Sequence, residues 1–202
     1  SSLYTPISSI CLDTRNYKFT KTSSENLEDF YNSFRQLNLN VKGWKFIQIA
    51  IDRFSSSIQR RNSIDKIIDL YVALESLFST PGENSSLKIA YRTAVLLATR
   101  DEEKEDYWKF IHEQSNIRNN ILHGRQSAED VKPDNLIKFE DLIRQSIRKF
   151  LNISKNFSDS KLIQNEKSKK GNREKILEEL DMGLINPTRF QDFSKMTTGI
   201  FG

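Results

Sequence analysis

Apolar side chains return every third or fourth residue along most of this chain, a spacing that allows little besides helices packed on one another. Leu27, Phe30, Tyr31, Phe34 and Leu37 form one stripe, Trp44, Ile47, Ile51, Phe54 and Ile58 a second, and Ile64, Ile67, Ile68, Tyr71, Leu74 and Phe78 a third. Ala90, Ala94, Val95, Leu97 and Ala98 make a fourth, broader one, of the kind a central buried helix shows. Tyr107, Phe110, Ile111, Ile117 and Ile121 mark a fifth, and Leu136, Phe139, Ile143, Ile147, Phe150 and Leu151 a sixth. Residues at i, i+3 and i+4 share one side of an α-helix, and such a side needs a neighbour to cover it. The punctuation agrees. Asn62 with Asp65 fits the start of the third helix, Pro81-Gly82 breaks the chain after it, Gly124 closes the fifth, and Pro133 fits only in the first turn of the sixth. Alternation of period two is confined to residues 3 to 20. The expected fold is all-α, a helical bundle of about six helices with a polar C-terminal extension.

The 202 residues suffice for one domain with a full core, and 13 Phe and 6 Tyr supply material for it. Residues 1–20 are expected to be an N-terminal segment, the end of an upstream domain. Residues 21–154 hold the bundle, and 155–202 a polar linker and a C-terminal helical tail. The boundary follows the lysine-rich run SKNFSDSKLIQNEKSKKGNRE, after which Ile176, Leu177, Leu180 and Leu184 give a short amphipathic piece. The last stretch, NPTRFQDFSKMTTGIFG, has no clear period, leaving open whether it packs on the bundle or frays.

Several function classes are excluded or disfavoured. Cys11 is the only cysteine, so an intrachain disulfide and a cysteine zinc site are ruled out. His112 and His123 do not form a metal-ligand cluster, so no metal and no cofactor are expected, although a carboxylate-only site stays open. No apolar run approaches the roughly 18 residues of a membrane span. No signal-peptide pattern opens the chain, and a cytoplasmic location is expected; the Asn-x-Ser/Thr matches at Asn84, Asn152 and Asn156 are then chance. Ser1 stands where Met would begin a complete protein, so an upstream domain or regulatory partner is expected. The net charge of +4 suits a polyanionic partner without requiring one.

RNNILHG, residues 118 to 124, carries the one constellation with chemistry in it. Cutting RNA without a metal needs a base for the attacking 2′-hydroxyl, an acid for the leaving 5′-oxygen, and a cation for the phosphate. Histidine titrates near neutrality and serves either proton-transfer role. Arginine offers a fixed, permanently charged fork that matches phosphate oxygens. Five residues at about 100° each put Arg118 and His123 about 140° apart on a straight helix. They share no face, but Gly124 is a natural C′ residue that leaves His123 at the helix end. The partially negative C-terminus favours a protonated imidazole there. One Arg and one His are too few for a full acid–base site, whereas a symmetric dimer supplies two of each. By spacing alone the pair is an easy coincidence among 31 Lys and Arg, and a histidine before glycine is an ordinary capping arrangement.

Around this motif the chain resembles the Apea-like branch of the HEPN superfamily. The Arg118-Asn119…His123-Gly124 pattern is similar to the RNxxxHG ending of that branch. VALESLF (72 to 78) resembles its ALE-containing helix, and LKIAYRTAVLL (87 to 97) the helix that follows. The three blocks occur in the family's order and spacing, and the resemblance extends over about residues 20 to 153. It implies a helical HEPN bundle and a metal-independent endoribonuclease that leaves a 2′,3′-cyclic phosphate. It implies Arg118 and His123 as the catalytic pair, and Asn119 as the polar residue that orients the phosphate or the helix end. It implies a homodimer with both motifs lining one cleft, acting on RNA in bacterial defence or toxin–antitoxin systems. The alternative is a non-catalytic HEPN module for dimerisation or for binding RNA or a partner. Gly124, Arg125 and Gln126 stand where some HEPN toxins carry a tyrosine modified by a partner nucleotidyltransferase, so no such modification is expected.

The remaining residues have plainer expectations. Glu75 points with the apolar stripe of its helix and needs a partner. Arg92, on the next helix, is the expected structural partner, with orientation of Arg118 as the alternative. Arg125 is a candidate RNA contact or simply exposed. His112, between Lys109 and Glu113, is expected on a solvated face. The KSKK run at 167 to 170 is read as solvated linker, and the Phe and Trp stripe as core rather than a base-stacking platform.

Overall fold

The computed structural model describes residues 21–37, 39, 43–80, 82, 83, 86–125, 127, 131–157, 171–183 and 185–201. Over these residues the chain is an all-α bundle with a C-terminal extension and no strand. Its helices are α1 (Lys21–Gln36), α2 (Lys45–Gln59), α3 (Ser63–Phe78), α4 (Ser86–Leu97), α5 (Asp101–Leu122), α6 (Pro133–Asn156), α7 (Asn172–Met182) and α8 (Pro187–Ser194). A 3₁₀ turn at Lys195–Thr197 follows α8. The period-two stretch at 3 to 20 and the KSKK run lie outside the described residues.

The helix ends follow local chemistry. Asn62 caps α3 by accepting the backbone N–H of Ile64 at 2.8 Å, with Asp65 in the first turn; such a cap contributes about 1 kcal/mol. At the start of α5, Glu103 reaches back to the backbone N–H of Thr99 at 2.9 Å. That bond, with help from Arg100, holds its carboxyl down at about 2. Pro133 occupies the first turn of α6, where its missing N–H leaves no bond unmade.

Helix α3 lies at the centre, packed against α2, α4, α5 and α6. Leu70, Leu74, Leu77 and Phe78 are fully buried, each contributing about 1.5–3 kcal/mol of apolar burial. Phe150 of α6 meets Phe46 of α2 and Phe78 of α3 edge-on, with ring centroids 5.8 and 5.3 Å apart. These edge-to-face contacts are the arrangement aromatic quadrupoles favour. The aromatic residues at helical spacing are therefore largely core, as their period predicts. Leu27, Tyr31 and Ile58 remain exposed.

The C-terminal extension joins the same core. Ile176, Leu177 and Leu180 of α7 are buried, as are Phe193, Met196 and Phe201 beyond it. The stretch without a period is held through its backbone. Asn152 of α6 donates to the Thr197 carbonyl (3.1 Å) and accepts from the Phe201 N–H (3.2 Å), while Arg148 donates to the Phe201 carbonyl. Single apolar side chains and carbonyl contacts fix it, which is why no repeating stripe announces it.

Arg92 of α4 corrects one expectation: its partner is not Glu75. Its guanidinium, with the residue only 3% exposed, binds Glu83 at 2.6 Å, Asp181 through two 2.7 Å bonds, and the Phe78 carbonyl at 2.8 Å. The planar fork thus ties the α3–α4 connection to α7. Bonds from Arg92, with support from Lys88 and Thr80, hold the Glu83 carboxyl down at about 2, against an ordinary 4.5. Removing the arginine as Arg92→Ala takes the guanidinium from Asp181 and the Phe78 carbonyl and leaves Glu83 only its bonds from Lys88 and Thr80. Denaturant unfolding should show a loss of about 3 kcal/mol, the low end for a broken buried pair because Asp181 is partly exposed. Arg92→Lys should recover only part of it. Because the folded-state Glu83 is depressed, its contribution is complete above about pH 5 and disappears as pH falls through 4.5 toward about 2. The deficit of Arg92→Ala should shrink over that window.

Candidate functional site

The RNNILHG stretch ends α5 in a complete Schellman motif. His123 is the C-cap, its N–H bonded to the Asn119 carbonyl at 3.0 Å. Gly124 has φ +66° and bonds back to Ile121 at 3.0 Å, and the Arg125 N–H reaches the Asn120 carbonyl at 2.8 Å. Only the positive φ requires glycine at 124, since a Cβ there would meet nothing within 4 Å. The imidazole of His123 is exposed, as is the side chain of Arg125.

Arg118 sits one turn earlier and faces elsewhere. Its Nη1 donates to Asn119 Oδ1 at 3.0 Å, and its Nη2 lies 3.4 Å from Glu75 Oε1. The guanidinium carbon stands 5.2 Å from the centre of the Tyr71 ring, a cation–π arrangement. Tyr71 in turn donates to Ser115 Oγ at 2.9 Å inside the core, and burial raises its phenol further above the physiological range. Two helical pairs make this shelf: Tyr71 and Glu75 at i, i+4 on α3, Ser115 and Arg118 at i, i+3 on α5.

Glu75, Arg118 and Asn119 line one cavity of about 630 Å³ between α3, the α3–α4 connection, α5 and α7. Its walls also carry Ser76, Ser79 and Arg173. His123 is not among its lining residues, so one chain brings Arg118, Asn119 and Glu75 together and leaves His123 apart, as the 140° arithmetic anticipates. Arg92 belongs to the Glu83–Asp181 cluster, and of the two readings of Glu75, contact with Arg118 is the one observed. His112 is half-buried rather than solvated. Its ring lies on Trp108, 5.3 Å between centroids and 12° between planes, with Nδ1 buried and unbonded. Among the described residues, no three of His, Cys, Asp and Glu are grouped to hold a metal ion, and no helix is long and apolar enough to cross a membrane.

Sequence inspection missed two parts of this site. Ser115, three residues before Arg118, was open to discovery from helical spacing. Arg173 was not, because nothing local connects it with a cavity built from residues 71 to 119.

Burial pushes the Glu75 carboxyl above its ordinary value, and the Arg118 charge offsets this only in part. An acid with a raised folded-state pKa weakens the fold once pH rises above its unfolded value. Glu75→Gln should therefore leave the melting temperature at pH 7 unchanged or higher. Any gain should vanish below about pH 4, where glutamic acid is neutral in both states. A clear drop at pH 7 would mean that the ion pair with Arg118 outweighs the burial.

No family model, curated protein or solved structure matches this chain. The likeness to the HEPN superfamily rests on the three sequence blocks alone.

Proposed function

We propose that the chain is a metal-independent endoribonuclease of the HEPN type, working as a homodimer. The observation that carries this is the division of the motif. Arg118 is oriented over a polar cavity by Glu75 and Asn119, and His123 stands exposed one turn away on a rigid cap. A guanidinium fixed by neighbours and an imidazole open to solvent are the two parts the reaction needs. Their separation is what a site shared between two chains accommodates. Leu122, beside His123, is 55% exposed, an apolar group suited to a contact between copies.

In this reading the 2′-oxygen attacks the adjacent phosphorus and passes its proton to His123 of one chain. The bond from phosphorus to the 5′-oxygen breaks, and that oxygen takes a proton from His123 of the other chain. The products are a 2′,3′-cyclic phosphate and a 5′-hydroxyl. Arg118 meets the charge growing on the non-bridging oxygens, and Asn119 keeps its fork aimed. Arg125, exposed beside the cap, is a candidate contact to the RNA backbone. Bacterial defence or toxin-type RNA degradation in the cytoplasm is the proposed setting, with an upstream domain or partner as regulator.

One observation favours a second reading, a non-catalytic dimerisation or RNA- or partner-binding module. Arg118 already has a carboxylate and an aromatic face, so it also serves as a bridge between α3 and α5. Cleavage of RNA in EDTA separates the two. Arg118→Ala and His123→Ala should each reduce the rate at least about 100-fold, the scale of losing an acid–base or charge-stabilising group, with folded helical spectra. Wild-type rates in both variants would sink the ribonuclease reading.

A further inference from the structure

The cavity beside Arg118 contains a second arginine, from a different part of the chain. Arg173 lies in the first turn of α7, half-buried. Its Nη1 donates to the Ser76 carbonyl at 2.9 Å, and its guanidinium carbon stands 5.6 Å from the Phe46 ring centre. One bond and one aromatic face hold the group and leave most of its five N–H donors uncommitted. Among the described residues no carboxylate pairs with it.

The charges on the walls make this placement informative. Glu75 is answered by Arg118, and Glu83 by Arg92 and Lys88. Among the described residues Arg173 makes no ion pair; burial lowers its pKa and the charge of neighbouring Glu174 offsets this only in part, so its charge is held at a cost. The hydroxyls are also specific in what they offer. Ser76 Oγ donates to the Ala73 carbonyl at 2.7 Å and Ser79 Oγ to the Glu83 carbonyl at 2.9 Å. With their protons committed, they present acceptor lone pairs, which suit ribose hydroxyls and base amino groups. A volume of about 630 Å³ falls in the range of small-molecule sites and accommodates a nucleotide.

We propose that Arg173 is a second phosphate-binding residue: the cavity takes one nucleotide of single-stranded RNA, its phosphate on Arg173 and its base amino donors on the serine lone pairs. The cleavage role of that nucleotide, flanking the scissile linkage held by Arg118, rests on the ribonuclease reading; the binding does not. The C-terminal extension thereby becomes part of the substrate site.

The test is binding of a 2′-O-methyl RNA oligonucleotide, which cannot be cut, to the full chain over a salt series. Arg173→Gln keeps a donor for the Ser76 carbonyl and part of the packing on Phe46 while removing the charge. It should weaken binding about tenfold at low salt, the scale of one charge-assisted contact. It should also flatten the log Kd against log salt slope by about 0.7, the value for one phosphate of a single strand. Its melting temperature should stay close to wild type, and Arg173→Lys should recover the slope. An unchanged affinity and slope in Arg173→Gln, or a wild type that does not bind the probe, would overturn the proposal. Failure of the nuclease reading reads out separately, as no cleavage with Arg173-dependent probe binding intact.

Discussion

The guanidinium of Arg92 is the interaction on which the rest of the arrangement depends. A buried arginine is tolerable only when its donors are met, and here the partners come from the end of α3, the connection after it, and α7. The first two are neighbours in sequence and the third lies in the C-terminal extension, so satisfying one side chain fixes the extension against the α3–α4 connection. Fixing α7 against α4 also fixes Arg173 over the Ser76 carbonyl, one wall of the cavity. Gly183, at the end of α7, belongs to the same contact. A Cβ there would stand 2.8 Å from Val95, so the small residue permits the close approach.

From that frame the site follows by helical arithmetic. Helix α3 presents Tyr71 and Glu75 on one side, and α5 answers with Ser115 and Arg118. The shelf keeps a partly buried carboxylate that burial has pushed up, a local expense for the fold. Its return is an arginine oriented at a cavity rim rather than swinging in solvent. The other half of the motif is handled by opposite means: the Schellman cap of Gly124 fixes the backbone of His123 and leaves the ring outside.

Much of this was legible from residues near one another in sequence. The stripes through α1 to α6 marked the helices because burial and helical period act together over each segment. Asn62, Pro133 and Gly124 marked ends because capping is local chemistry. The partner of Arg92 was misjudged for a physical reason. Glu75 follows the apolar stripe of the preceding helix, whereas Glu83 sits in a connection with no helical period and Asp181 reaches Arg92 only after the extension folds back across 89 positions. Arg173 was hidden for the same reason. The C-terminal stretch hid its packing because three side chains and a few carbonyl bonds hold it, too sparse a pattern to show a period.

The chemistry proposed for the RNNILHG end is read most directly in the termini of the RNA it produces. After incubation with the wild-type chain in EDTA, the fragments should carry 2′,3′-cyclic phosphate and 5′-hydroxyl ends, because the attacking oxygen belongs to the substrate. Products ending in 3′-hydroxyl and 5′-phosphate groups, or cleavage that persists at linkages lacking the 2′-hydroxyl, would contradict it.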